Sequence, residues 1–191
     1  MKNYFKIASV LSLIALVCAL IIASVYLLTT PMIEANAIKA EIETRQAIFE
    51  TYDQENSEEL ETSNSVIRSK ILAKDKDGNE LGYLYTVSKS NSFGSITLMV
   101  AIDKENNILQ VEILELNQSF ASTAKEHFQQ NYPTSKENVI YIGIKPEEAP
   151  EIGTLTEADF ESINTTCGAT YSADMIKELV KTALTDAKGG M

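Results

Sequence analysis

Histidine occurs once in these 191 residues, at His127, and cysteine twice, at Cys18 and Cys167. Any Ser-His-Asp or Cys-His pair has to recruit His127, and nothing beside it in the sequence supports that chemistry. It falls in a predicted helix over Ala121–Asn131, where an ordinary surface or edge position is expected. No catalytic residue and no metal ligand is assigned. Glycine is thinly spread: Gly78, Gly82 and Gly94 lie too far apart to form a phosphate loop. Positive charge is scarce as well, with 16 Lys and Arg against 27 Asp and Glu, a net charge of −11. That deficit excludes nucleic acid, whose binding rests on basic patches, and disfavours lying flat on anionic lipid. A solvated acidic surface accounts for it. There is no internal repeat and no low-complexity linker.

What the chain does have is one long apolar run. Ile7 to Ile33 contains no charged residue, and about 20 such residues cross a bilayer as a helix. Lys2 and Lys6 precede the run and Glu34 is the first charge after it. The positive-inside rule then predicts a cytoplasmic N-terminus and a single-pass anchor in the cell membrane, with the remainder extracytoplasmic. A cleaved signal peptide has a shorter apolar region and a nearby small-residue cleavage site; here the nearest Ala-x-Ala, Ala35-Asn36-Ala37, lies beyond the run. Ala15-Leu16-Val17 before Cys18 is a poor lipoprotein signal, so Cys18 reads as an inert membrane cysteine. With Cys18 in the membrane and Cys167 outside, the two cannot pair within one chain, and no disulfide framework or multi-cysteine metal site is available. All 27 acidic residues follow the anchor with 14 of the basic ones, since Lys2 and Lys6 precede it, so residues 34–191 carry −13.

Three regions follow: 1–33 as cytoplasmic N-terminus and anchor, 34–64 as a helical and acidic connector, and 65–191 as the extracytoplasmic domain. Glu34–Phe49 reads as a helix leaving the membrane, and Asp53–Glu61, with five acidic residues, as a solvated loop. Val66–Leu72 and Leu81–Val87 flank Asp77-Gly78, a hairpin signal. Ser95–Ile102 and Ile108–Leu116 flank Glu105-Asn106-Asn107. Val111 and Ile113 alternate with Glu112 and Leu114, which predicts one face more buried than the other. Four antiparallel strands then make a sheet with one covered face. Val139–Ile144 reads as a short strand, Pro146–Gly153 as a loop and Thr156–Phe160 as the start of a short helix. Met175, Leu179, Val180, Ala183 and Leu184 recur at helical spacing behind an N-cap at Ser172. The fold class expected is α+β: an antiparallel sheet with packed helices, tethered by one N-terminal transmembrane helix. Asp75, Asp77 and Asn79 around Gly78 faintly suggest a calcium loop, but a hairpin turn explains them fully.

Specific chemistry can be argued in one place, Thr166-Cys167-Gly168-Ala169-Thr170-Tyr171-Ser172. A small turn lets backbone approach a ligand closely. The start of a helix offers free N–H groups and partial positive charge to a phosphate. Thr170 supplies a hydroxyl that can be esterified. The segment resembles the motif of the RnfG/NqrC-type FMN-binding domain: Asp, two variable positions, Ser/Thr, Gly, Ala, Thr, any residue, Ser/Thr. Here Asn164 stands for the Asp and Cys167 for the first Ser/Thr. The anchor with its Thr30-Pro31 exit resembles the same family. The resemblance implies FMN held by a phosphoester on Thr170, installed from FAD by a flavin transferase, with close approach at Gly168 and Ala169. Cys167, Ser172 and Gly94 (the last in Ser92-Phe93-Gly94 before the third strand) complete the expected cofactor-binding set. It further implies an electron-transfer subunit among other membrane subunits of an Rnf- or NQR-like ion-translocating complex. In that family a Thr-Pro-Gly-Leu-Gly loop follows the strand equivalent to Ile108–Leu116; here Asn117–Ser122 has neither Pro nor Gly. The alternative is a non-flavinylated structural or assembly subunit of the same fold.

Overall fold

A computed structural model describes residues 2–136, 138, 143, 145 and 150–189. The strand read at Val139–Ile144, Gly143 apart, and the first half of the loop read at Pro146–Gly153 lie outside the described residues. The chain divides into two compact units, residues 1–43 and 44–191. The first consists of helix α1, which runs from Lys2 to Ile48 and so enters the second unit. Within it Ser9–Met32 is long and apolar enough to cross a membrane. The hydroxyls of Ser24, Thr29 and Thr30 donate to the carbonyls of Leu20, Val25 and Tyr26 at 2.7–2.8 Å. Their polarity is thereby satisfied inside the helix, which an apolar medium demands.

The second unit is built on a five-stranded antiparallel meander, β1 (Asp53–Leu60), β2 (Ile67–Lys74), β3 (Glu80–Asn91), β4 (Gly94–Ile102) and β5 (Ile108–Gln118), in the order β1-β2-β3-β4-β5. The four strands expected from the apolar runs around two turns are present. The fifth, β1, replaces the solvated loop read at Asp53–Glu61. Its acidic side chains point mostly to solvent and gave no apolar signal, but its backbone pairs with β2. Acidic residues on such an outer strand also discourage further pairing. The β2–β3 and β4–β5 hairpins close on the same sequence, Asp-Lys-x-x-Asn. Asp75 Oδ1 accepts from the N–H groups of Asp77 and Asn79, and Asp103 Oδ1 from those of Glu105 and Asn107, at 2.8–2.9 Å. The second carboxylate oxygen of each accepts from the Asn amide. The bonds from Asn79 hold the Asp75 carboxyl below the usual range. These oxygens serve the turn, and among the described residues no group of three or more His, Cys, Asp or Glu is placed to hold a metal.

Both faces of the sheet are covered, not one. Toward one face turn Leu98, Val100, Val111 and Ile113, packed against α2 (Ala121–Asn131), α3 (Glu157–Ser162) and α4 (Thr170–Gly189). Toward the other turn Ile71, Leu84, Met99 and Ala101, with Tyr52, Ile48 and Phe49. Glu112, opposite Met99 in β5, is only 1% exposed, where alternation had put it on the open side. It accepts from Ser135 N–H at 2.7 Å and from Thr134 Oγ1 at 3.2 Å. Burial raises its carboxyl pKa above the usual 4.5 despite these bonds.

Helix α4 positions the site and is held twice. Ile176, Leu179, Val180 and Leu184 are buried, each contributing roughly 1.5–3 kcal/mol. At its far end Asp186 takes Lys70 Nζ at 2.7 Å and Tyr85 Oη at 3.2 Å. Lys70 is nearly enclosed and its ammonium lies 5.6 Å from the ring centroids of Tyr83 and Tyr85. Asp186→Ala strands that cation and is expected to cost about 2–3 kcal/mol, less than a fully buried pair because Asp186 is part-exposed; thermal denaturation followed by circular dichroism measures it. For Glu112 the folded pKa lies above the unfolded one. The folded state therefore loses stability as pH rises from 4.5 through the raised value. Glu112→Gln removes that dependence, so its melting temperature should gain on the wild type across the same rise in pH.

Candidate functional site

The loop from Ile163 to Ala169 joins α3 to α4, and each end is anchored. Helix α3 starts with a capping box in which Thr156 and Asp159 exchange hydrogen bonds. Asn164 Oδ1 accepts from Thr166 N–H at 2.9 Å, and Asn164 O meets His127 Nε2 at 2.8 Å. His127 is buried on α2, so it is neither a surface nor an edge residue: it holds this loop. Gly168 lies on Thr123, four residues before His127 on α2, where an added Cβ would come within 3.2 Å of Thr123 Cγ2.

Helix α4 begins at Thr170, two residues before the N-cap read at Ser172. Ala169 O accepts from the N–H groups of Ser172 and Ala173 at 2.9 and 3.0 Å, so Ala169 occupies the cap position and Thr170 the first helical one. Thr170 Oγ1 donates to Cys167 O at 2.7 Å and accepts from Cys167 N–H at 3.3 Å. The thiol of Cys167 accepts from Ala169 N–H at 3.4 Å, standing in for the hydroxyl the motif prefers. No acidic residue occupies the first turn of α4, so the partial positive charge at its start is not offset by its own side chains. A part-buried hydroxyl at a helix start suits a phosphate ester.

Helical geometry explains the neighbours. Ser172, Ile176, Leu179 and Ala183 follow at steps of four, three and four, one inward stripe, and all are buried. Ser172 therefore faces the sheet and donates to Gln118 Oε1 at 3.0 Å. Gln118 Nε2 donates to Asn91 Oδ1 at 3.4 Å, and the same oxygen accepts Phe93 N–H at 2.9 Å. This chain ties the start of α4 to the end of β5 and to the β3–β4 turn. Tyr171, on the outward side, stacks on Phe93 with ring centroids 5.3 Å apart and an interplanar angle of 24°. Gly94 is paired with Gln118, at φ +131°, and a Cβ there would stand 1.6 Å from Asn117 O. Its lack of a side chain is thus used by the neighbouring backbone.

The structure brings Cys167, Gly168, Ala169, Thr170 and Ser172 together at the head of α4, and reaches Gly94 through Gln118. Sequence reasoning missed Asn91, Gln118, Thr123, His127 and the Phe93–Tyr171 pair as parts of this neighbourhood. Only Tyr171 offered a signal, a large aromatic at the variable position of the motif; the others depend on partners far away in the chain.

Residues 1–48 match the family model described as the RnfG N-terminal region, and residues 93–185 match that of the FMN-binding domain. The chain is similar to an ion-translocating oxidoreductase complex subunit of Haemophilus influenzae (strain PittEE). The two are 32% identical over 114 residues, 55% of this chain and 54% of that protein. The chain thus spans about half the length of this relative.

Gln118→Ala leaves the buried Ser172 hydroxyl without its acceptor and is expected to destabilise the second unit by about 1–3 kcal/mol. Thermal denaturation, with Gln118→Glu as the variant that restores an acceptor, measures the loss.

Proposed function

The chain belongs to the RnfG-type FMN-binding proteins, anchored by its N-terminal apolar helix, and from that premise we propose that it carries FMN as a phosphoester on Thr170. The observation that carries this reading is the Thr170 hydroxyl at the first position of α4, beside a flat aromatic pair. The residues present fit such a group. The partial positive charge of the helix start favours the phosphate, and Phe93 and Tyr171 offer a surface for a ring. FMN bound there supplies reversible one- and two-electron chemistry; the chain supplies tether, position and electrostatics.

In maturation Thr170 Oγ1 forms the new bond to the phosphorus of the FMN half of FAD. The pyrophosphate P–O bond breaks, AMP leaves and the hydroxyl proton is lost, the work of a flavin transferase. Thr170 then keeps the bond it accepts from Cys167 N–H and gives up the one it donates to Cys167 O. With the N-terminus cytoplasmic, the second unit stands outside the membrane, where a covalent link prevents loss of the flavin. The relative is named as a subunit of an ion-translocating oxidoreductase complex, and we assign this chain a comparable place, passing electrons between neighbouring redox centres. A second reading, a structural or assembly subunit without flavin, draws on Cys167 in the hydroxyl position and on the hydroxyl of Thr170 being already engaged.

Intact mass of the full chain, co-expressed with an extracytoplasmic flavin transferase, tests the assignment. A gain of one esterified FMN mapped to Thr170 is expected, and an unmodified mass beside a flavinylated control protein selects the second reading. Thr170→Ala should lose all covalent flavin and keep the fold, and flavin retained in that variant would end the assignment. Cys167→Ser should keep or raise the load, because a hydroxyl accepts from Ala169 N–H better than sulfur does. A clear loss there would give the thiol a role of its own.

A further inference from the structure

Outside the apolar helix, the large hydrophobic side chains exposed among the described residues are Phe93, Phe120 and Tyr171. All three belong to one neighbourhood. Tyr171 follows Thr170 directly and stacks on Phe93. Ser119, the residue before Phe120, donates its N–H to Phe93 O at 3.2 Å. An acidic, solvated domain that exposes its aromatics together, and nowhere else described, has kept them for contact with something apolar.

Two further observations separate this patch from chance. Phe120 occupies the N-cap position of α2 and makes no side-chain cap bond, where Ser, Thr, Asp or Asn would stabilise the helix by about 1 kcal/mol. Helix stability has been forgone for an aromatic ring at the point where Asn117–Ser122 passes the site. Tyr171 is 70% exposed in the first turn of a helix, yet its position is set on both sides. The next residue, Ser172, is locked to Gln118, and Phe93 is held through Asn91 and Ser119. The result is a solvent-facing aromatic surface directly beside the Thr170 hydroxyl.

We propose that Tyr171, backed by Phe93 and flanked by Phe120, is the platform on which the isoalloxazine ring of the Thr170-linked FMN lies. Aromatic rings take planar π-systems by offset stacking, and an exposed tyrosine gives up little conformational freedom in doing so. The inference rests on the flavin reading above. Phe93, Phe120 and Tyr171 are therefore positioning residues for the ring, while Thr170 determines only where it is tethered.

The test uses the full chain in detergent, with flavin load read separately by intact mass. Time-resolved fluorescence anisotropy and visible circular dichroism then report the freedom and the asymmetry of the bound ring. The wild-type flavin is expected to tumble with the protein and to show a visible dichroic band. The Phe120→Leu/Tyr171→Leu double variant, equally loaded, should gain a fast local motion and lose at least half of that band. Tyr171→Phe should preserve both. An equally loaded double variant with unchanged anisotropy and dichroism overturns the platform. So does a wild-type flavin that already rotates freely, and the patch is then a docking surface for another protein. Should mass show no load at all, the flavin reading fails on its own, and FMN titrated into the unmodified chain decides the platform. Anisotropy that rises in the wild type and not in the double variant supports it, and no rise in either overturns it.

Discussion

The seating of α4 on the sheet is the constraint from which the rest follows. Ile176, Leu179, Val180 and Ala183 are fully enclosed against β3, β4 and β5, so the helix cannot rotate without exposing several buried side chains. With its rotation set, every residue of its first turn has a direction. Ser172 continues the inward stripe and meets Gln118. Tyr171 lies on the outward flank and stays in solvent. Thr170 falls between them, half-enclosed, with its hydroxyl turned to Cys167. That boundary position leaves the hydroxyl both held and partly open to solvent.

Polar pins secure what the hydrophobic stripe orients. At one end of α4 stand Asp186 with Lys70 and Tyr85, and at the other Ser172 with Gln118 and Asn91. Each joins residues distant in sequence, and each is costly to break because a buried partner would be left unpaired. His127 on Asn164 does the same for the loop ahead of the site. Together these contacts make the head of α4 rigid from three sides: β5, the β3–β4 turn and α2.

Periodicity read well where one face of an element dominated. β5 and the last helix were legible because apolar spacing of 2 or 3.6 residues marks a covered face, and β2 to β4 as apolar runs closed by turn residues. It failed where burial came from something other than apolar side chains. Asp53–Leu60 is a strand through backbone pairing and polar side-chain bonds to β2 and its turn, and Glu112 is buried on hydrogen bonds from residues about 22 positions away. The helix start at Thr170 was displaced for a related reason. Ser172 looks like a cap by composition, but its hydroxyl turns inward to a sheet residue, while Ala169, with no polar side chain, takes the cap position.

By itself the sequence determined the apolar helix, the α+β class, the hairpins and the Thr170 motif, since each is written in local composition and spacing. Tertiary structure decided which residues surround that motif. Phe93, Phe120, Gln118, Asn91 and His127 come from β3, β5, α2 and the turns between them, and only the register of strands and the rotation of α4 bring them to one place. Local spacing specifies what a segment becomes; which distant segment it meets is set by how the two faces of the sheet are buried.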